Sequence, residues 1–146
     1  PSPGLDRSCG GHVHLGGDFK CPDFVAALFA ELFIGFYAGM YAQPGDPRAG
    51  WYGKPGIYRP KPYGIEYRSP NNKWGMTTGG MELIGDYALR CARYLTETDS
   101  VTLQGTFRKI PWVKVRAWLL GSKRTDASKV LHHQINKEIH KAGVPL

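Results

Sequence analysis

The sequence predicts an α+β fold, a mostly antiparallel sheet followed by helices. Polar and apolar side chains alternate over residues 10–16 and again over 63–69, the period of strands with one buried face. From residue 79 onward apolar residues recur every three or four positions instead, the period of helices.

The elements follow in order. In Gly10-Gly11-His12-Val13-His14-Leu15-Gly16, His12 and His14 share one face of a strand and Val13 and Leu15 the other. Pro22-Asp23 offers a stop and an N-cap for a helix over 24–42. That stretch is the most apolar in the chain, but it is short of a membrane span and holds Glu31 in its middle, so a buried helix is expected. Residues 48–62 contain Gly50, Gly53, Pro55, Gly56, Pro60 and Pro62, and predict a loop carrying Arg48, Lys54, Arg59 and Lys61. In the strand over 63–69, Tyr63, Ile65 and Tyr67 point one way, and Gly64, Glu66 and Arg68 the other. Thr77 and Thr78 are placed to cap a helix over 79–96 whose stripe is Ile84, Tyr87, Ala88, Cys91, Tyr94 and Leu95. A helix over 111–120 has Pro111 in its first turn. A last one starts near Asp126, shows Val130, Leu131, Ile135 and Ile139 on one face, and stops at Gly143. No repeat divides the chain, so residues 1–146 are read as one unit.

Composition narrows the class. With 42% hydrophobic and 21% charged residues the chain is globular, which excludes a disordered segment. A formal charge of +7 favours anionic partners, either nucleic acid or phosphorylated small molecules. The cations are spread from Arg7 to Lys141 with no block, so no basic tail is implied. Three cysteines without a CxxC pair fit reduced thiols in a cytoplasmic protein.

The chemistry lies on the two strands. Neutral imidazoles at His12 and His14 are good ligands for a divalent metal, and Glu66 supplies a hard oxygen for Mg²⁺ or Mn²⁺. Arg68 beside it has the planar fork that suits a phosphate oxygen. An HxH pair alone is a weak signal, and Glu66 with Arg68 alone is explained by a cross-strand ion pair. Together, with glycines around His12 and the cations before Glu66, they describe a site for a polyphosphate and its metal ions.

Gly10-Gly11-His12-Val13-His14 resembles the Gly-x-His-x-His strand of the glutamine synthetase-like superfamily, and Ile65-Glu66-Tyr67-Arg68-Ser69-Pro70-Asn71 resembles its later metal- and phosphate-binding strand. A closer resemblance is to the phage-type carboxylate–amine ligases (type 2) of that superfamily. It rests on the Arg7 to His14 motif and on the run from Tyr52 to Arg68, and it covers roughly residues 5–75. The resemblance implies a sheet of glutamine synthetase-like catalytic type and an ATP-dependent ligase (amidoligase) of a bacterial or phage-infected cell. Such an enzyme joins a carboxylate to an amine, on small molecules or peptides, through an acyl phosphate. It implies His12 and Glu66 as ligands of one Mg²⁺ or Mn²⁺, and His14 near the phosphates of ATP. Arg68 would stabilise the transferring phosphoryl group, while Arg48, Arg59 and Lys61 are further nucleotide or carboxylate contacts. The superfamily's other metal-binding carboxylates belong to a first half, and Asp18, Asp23 and Glu31 do not match them. The expectation is therefore a C-terminal half, inactive alone and prone to associate through its missing part, with no membrane and no nucleic-acid partner.

Two rival readings use the same residues. A zinc-stabilised structural domain would take Cys9, His12, His14 and Cys21 as ligands, although the glycines around the histidines then have no role. A single-stranded nucleic-acid-binding module would stack bases on Trp51, Tyr52, Tyr58, Tyr63 and Tyr67 between the cations.

Overall fold

The computed structural model describes residues 10–41, 54–121 and 126–146. Three short strands, β1 (Val13–Gly16), β2 (Tyr58–Lys61) and β3 (Gly64–Tyr67), make one antiparallel sheet in the order β1-β3-β2. With five α-helices among the described residues beside it, the fold class is α+β. The period of two divides the sheet into two chemically different faces. Leu15, Ile65 and Tyr67 are buried on the inner face, whereas His14, Glu66 and Arg59 lie directly opposite one another in the ladder on the outer face.

The inner face rests on helix α1 (Asp23–Tyr41). Its residues 29–38 are all buried, so this helix is apolar all round and forms the centre of the molecule. By length and composition it would cross a membrane, yet in this fold the sheet and the next helix cover it. Each fully buried Phe or Leu side chain here contributes about 1.5–3 kcal/mol. The helix is not regular: α-helical to Ala30, it widens into a π turn over Glu31–Gly35 and closes with a 3₁₀ turn at Gly39–Tyr41. Asp23 was expected to cap it. Instead Pro22 holds the cap position and Asp23 sits in the first turn, where its charge faces the positive end of the helix dipole.

The predicted loop over 48–62 is corrected in its last part. Tyr58–Lys61 is a strand, joined to β3 by the two-residue turn Pro62-Tyr63. Prolines misled the reading because an outer strand tolerates one: Pro60 stands on β2, which has β3 on one side only among the described residues. Tyr63 consequently belongs to the turn and not to the inner face, and is 48% exposed. Gly64 next to it has φ +145°, and a Cβ there would lie 2.2 Å from the Leu15 carbonyl oxygen, so the hairpin closes on β1 only with glycine. The first strand is also shorter than 10–16; Gly10 contributes only an isolated bridge to Asn71.

Four helices complete the core: α2 (Thr78–Glu97), α3 (Ser100–Lys109), α4 (Trp112–Gly121) and α5 (Asp126–Lys141). Thr77 caps α2 by accepting a 3.0 Å bond from the Gly80 amide. The sequence reading assigned no element to 100–109. Asp99 signals that helix: its carboxylate accepts from the Thr102 amide at 2.9 Å, and Arg108 and Lys109 sit in its last turn. The expected stripe of α5 is right at Ile135 and Ile139 and wrong at Val130 and Leu131, which are 58% and 39% exposed. His132 takes their place inward, stacked on Phe36 of α1 with ring centres 4.0 Å apart. The helix stops where predicted, with the Val144 amide reaching back to the Ile139 carbonyl (3.3 Å) around Gly143 at φ +98°.

Candidate functional site

The outer face of the sheet gathers the chemically active residues around Glu66. Its position in the middle strand makes it the centre, and its neighbours come from all three strands through the register. Arg59 is its direct partner on β2, with Lys61 two residues on; His14 is its partner on β1, with His12 two residues back, just before that strand; and Arg68 follows two positions on, just past the end of β3. Side chains two apart on neighbouring strands lie within reach of long residues.

The distances show how tightly they meet. Glu66 Oε1 lies 3.1 Å from His12 Nδ1 and 3.2 Å from Arg68 Nε. Its Oε2 lies 3.0 Å from Lys61 Nζ and 3.4 Å from Arg59 Nη1. The residue is only 4% exposed. The hydrogen bond from Lys61 holds its carboxyl below the usual range, with the charges of Arg59, Lys61 and His12 adding to it and burial opposing. Three permanent cations against one carboxylate leave the cluster net positive whatever the state of the imidazoles. That surplus suits a multiply charged anion.

Of the expected site residues, the structure thus brings together His12, Glu66, Arg68, Arg59 and Lys61. His14 shares the face, but its ring turns away toward the hairpin and its Nδ1 bonds the Tyr63 hydroxyl, with the rings 6.0 Å apart and nearly parallel. Sequence reasoning missed Tyr63 as a member of this face because it extended the strand's alternation one residue too far, through a turn that Pro62 should have marked. Arg48 lies outside the described residues. The donors present fit part of a divalent-metal site. Octahedral Mg²⁺ holds its ligands at about 2.0–2.1 Å, which separates neighbouring donors by about 3 Å, close to the spacing of His12 Nδ1 and Glu66 Oε1. Among the described residues no group of three His, Cys, Asp or Glu side chains converges on one point.

The rival sites fare differently. Cys9 lies outside the described residues. Cys21 is half-buried, and burial together with the charge of Asp23 pushes its thiol up to about 11. The aromatic platform divides: Tyr67 is fully buried on the inner face, Tyr58 pairs beside it, and Tyr63 stands with the cations, while Trp51 and Tyr52 lie outside the described residues.

Beside the cation cluster a cavity of about 490 Å³ opens between the hairpin and the segment after β1. Lys61 and Tyr63 belong to both the cavity and the cluster, and Asp18, Cys21 and Asp23 line the far side. Asp18 is engaged by Lys20. Comparisons with models of protein families, with curated proteins and with solved structures return no match to this chain.

Proposed function

We propose that the chain carries the metal- and phosphate-binding face of an ATP-dependent carboxylate–amine ligase of glutamine synthetase-like type. The observation that supports this is the convergence of His12, Arg59, Lys61 and Arg68 on the buried carboxylate of Glu66. A structural ion pair needs one partner. Four basic side chains around one acid form a preorganised set of donors for phosphate oxygens.

In this reading His12 and Glu66 hold one Mg²⁺ or Mn²⁺, and that ion when bound neutralises charge on the phosphoryl oxygens. Arg68, with its rigid fork, orients the γ-phosphoryl group, and Arg59 and Lys61 hold the neighbouring oxygens; His14, braced by Tyr63, lines the same face. The reaction has two displacements. A carboxylate oxygen attacks the γ-phosphorus and ADP leaves; the amine nitrogen then attacks the acyl carbon, phosphate leaves and the nitrogen gives up its proton. Lys61 and Tyr63 border the adjoining cavity, the space beside the phosphoryl group in which a second substrate would stand.

Calorimetric titration with ATP in the presence of Mg²⁺ tests the reading. Binding is expected that EDTA abolishes and that His12→Ala and Glu66→Ala each weaken on the order of 100-fold, the usual effect of losing one preorganised contact. Unaltered affinity in both variants, or zinc binding with no affinity for nucleotide, would overturn it. Steeply salt-dependent binding of oligo(dT) without any for ATP would instead favour the nucleic-acid reading.

A further inference from the structure

Directly beneath this face, on the core side, is a second glutamate. Glu31 lies in the π turn of α1, 2% exposed, in a helix of Phe, Leu, Ile and Ala. The π turn and Gly35 give it room. A Cβ on Gly35 would lie 2.3 Å from Glu31 Oε2 and 2.2 Å from the Tyr67 hydroxyl, so the glycine leaves the space these two groups fill. Such widened turns recur at functional sites.

What Glu31 holds is the approach to the site. The amide of Gly56, at φ +84°, donates to Glu31 Oε1. Gly56 belongs to a turn over 54–57 in which the Ile57 amide reaches the Lys54 carbonyl at 3.3 Å. Ser69 ties that turn to the end of β3, donating to the Lys54 carbonyl at 2.9 Å and accepting from the Ile57 amide at 3.2 Å. The Ile57 carbonyl in turn accepts from the Arg68 amide at 2.9 Å. From this turn the chain runs straight into β2, with Arg59 and Lys61.

We propose that Glu31 is a positioning residue for the anion site: it fixes the 54–57 turn from within the core and thereby sets where Arg59, Lys61 and Arg68 stand on the other side of the sheet. The proposal rests on the anion-site reading for its function but on the Gly56 contact for its geometry. The carboxylate accepts the Gly56 amide and lies near the hydroxyls of Ser69 and Tyr67, and so stands between the turn and the strand. Burial pushes its carboxyl up to about 6, with these donors working in the opposite direction. Its protonation therefore changes the grip on the turn near neutral pH. Among the described residues the titratable groups facing it are Tyr67 on β3 and, behind Tyr67, Cys91 on α2, both held neutral by burial.

The experiment is an NMR titration of the ligand-free chain between pH 5 and 8, following the Gly56 amide and the Lys61 side-chain amine. The two signals should shift together, and Glu31→Gln should remove the shared shift. Lys61 also bonds Glu66, so only the component lost in Glu31→Gln counts. In parallel, Mg·ATP affinity in Glu31→Gln should stay within about threefold of the parent, whereas in Glu31→Ala, still folded by circular dichroism, it should fall at least tenfold. A Gly56 signal that titrates while Lys61 does not would overturn the proposal and leave Glu31 a fold anchor. If Glu31→Ala does not fold, the coupled titration and its loss in Glu31→Gln decide alone. Absence of ATP binding in the parent chain would count against the ligase reading and leave the titration to judge Glu31 independently.

Discussion

Glu66 and Glu31 flank the same strand from opposite sides and respond to pH with opposite signs. Glu66 has its carboxyl lowered by the Lys61 hydrogen bond and by the charges around it. Its contribution to stability is present above the ordinary carboxylate range and is lost as pH falls through its own lower value. Glu31 is the reverse case, raised from 4.5 to about 6 by burial. Its contribution is complete below the unfolded value and disappears as pH rises through about 6, so at pH 7 the ionised form costs about 2 kcal/mol. Glu31→Gln is therefore expected to raise the urea midpoint at pH 7 and to lose this advantage by pH 4. Glu66→Gln should lower the midpoint at pH 7, because it leaves three cations facing a neutral amide. Arg68→Lys keeps the charge but not the fork, and should weaken Mg·ATP binding roughly tenfold with little change in unfolding.

At the scale of elements, the π turn and the hairpin position the site, and glycine substitutions separate their roles from ordinary helix propensity. Gly35→Ala drives a methyl into Tyr67 and Glu31 and should destabilise by about 1–3 kcal/mol, as overpacking does. Gly85→Ala, on the exposed side of α2 with nothing within 4 Å, should stabilise by about 0.5–1 kcal/mol; thermal melts of both variants check the pair. The outer face was legible because strand period is local: His12 and His14, then Glu66 and Arg68, share a face through their spacing of two alone. Arg59 and Lys61 were recognised as cations but placed in a loop, since Pro60 and Pro62 outweigh a four-residue alternation unless the turn between strands is identified. Glu31 could not be linked to the site from sequence. Its contacts span 25 residues to Gly56, and a π turn has no periodic signature. The inward turn of α5 toward His132 rather than Val130 was hidden for a similar reason, because a histidine stacked on Phe36 reads as polar in any pattern.

At the scale of the molecule, the division of labour runs across one thin sheet. The core side holds α1 and its aromatic contacts, such as Phe29 with Tyr94 and Phe36 with Trp118, while the outer side holds nearly all the charge chemistry discussed above. The net charge of +7 reinforces the local surplus of cations at a distance. Mg·ATP binding should accordingly weaken as salt is raised from about 0.05 to 0.3 M, over which the screening length drops from roughly 14 to 6 Å. Affinity flat across that range would mean that only the contacts within the cluster matter.

Pro60 has a consequence for what the sheet can attach to. Since the Ile57 carbonyl bonds the Arg68 amide, the alternation of an antiparallel ladder turns the backbone groups of Arg59 toward β3 and those of Tyr58 and Pro60 outward. Proline there deletes an N–H from the side of β2 that no strand pairs with among the described residues. A stray strand from a neighbouring molecule thus finds a gap where it needs a donor, and growth by templated strand addition is blocked on this side. Pro60→Thr would restore the donor and leave the cation cluster in place. Light scattering of a concentrated solution should then rise with time in the variant and stay flat in the parent.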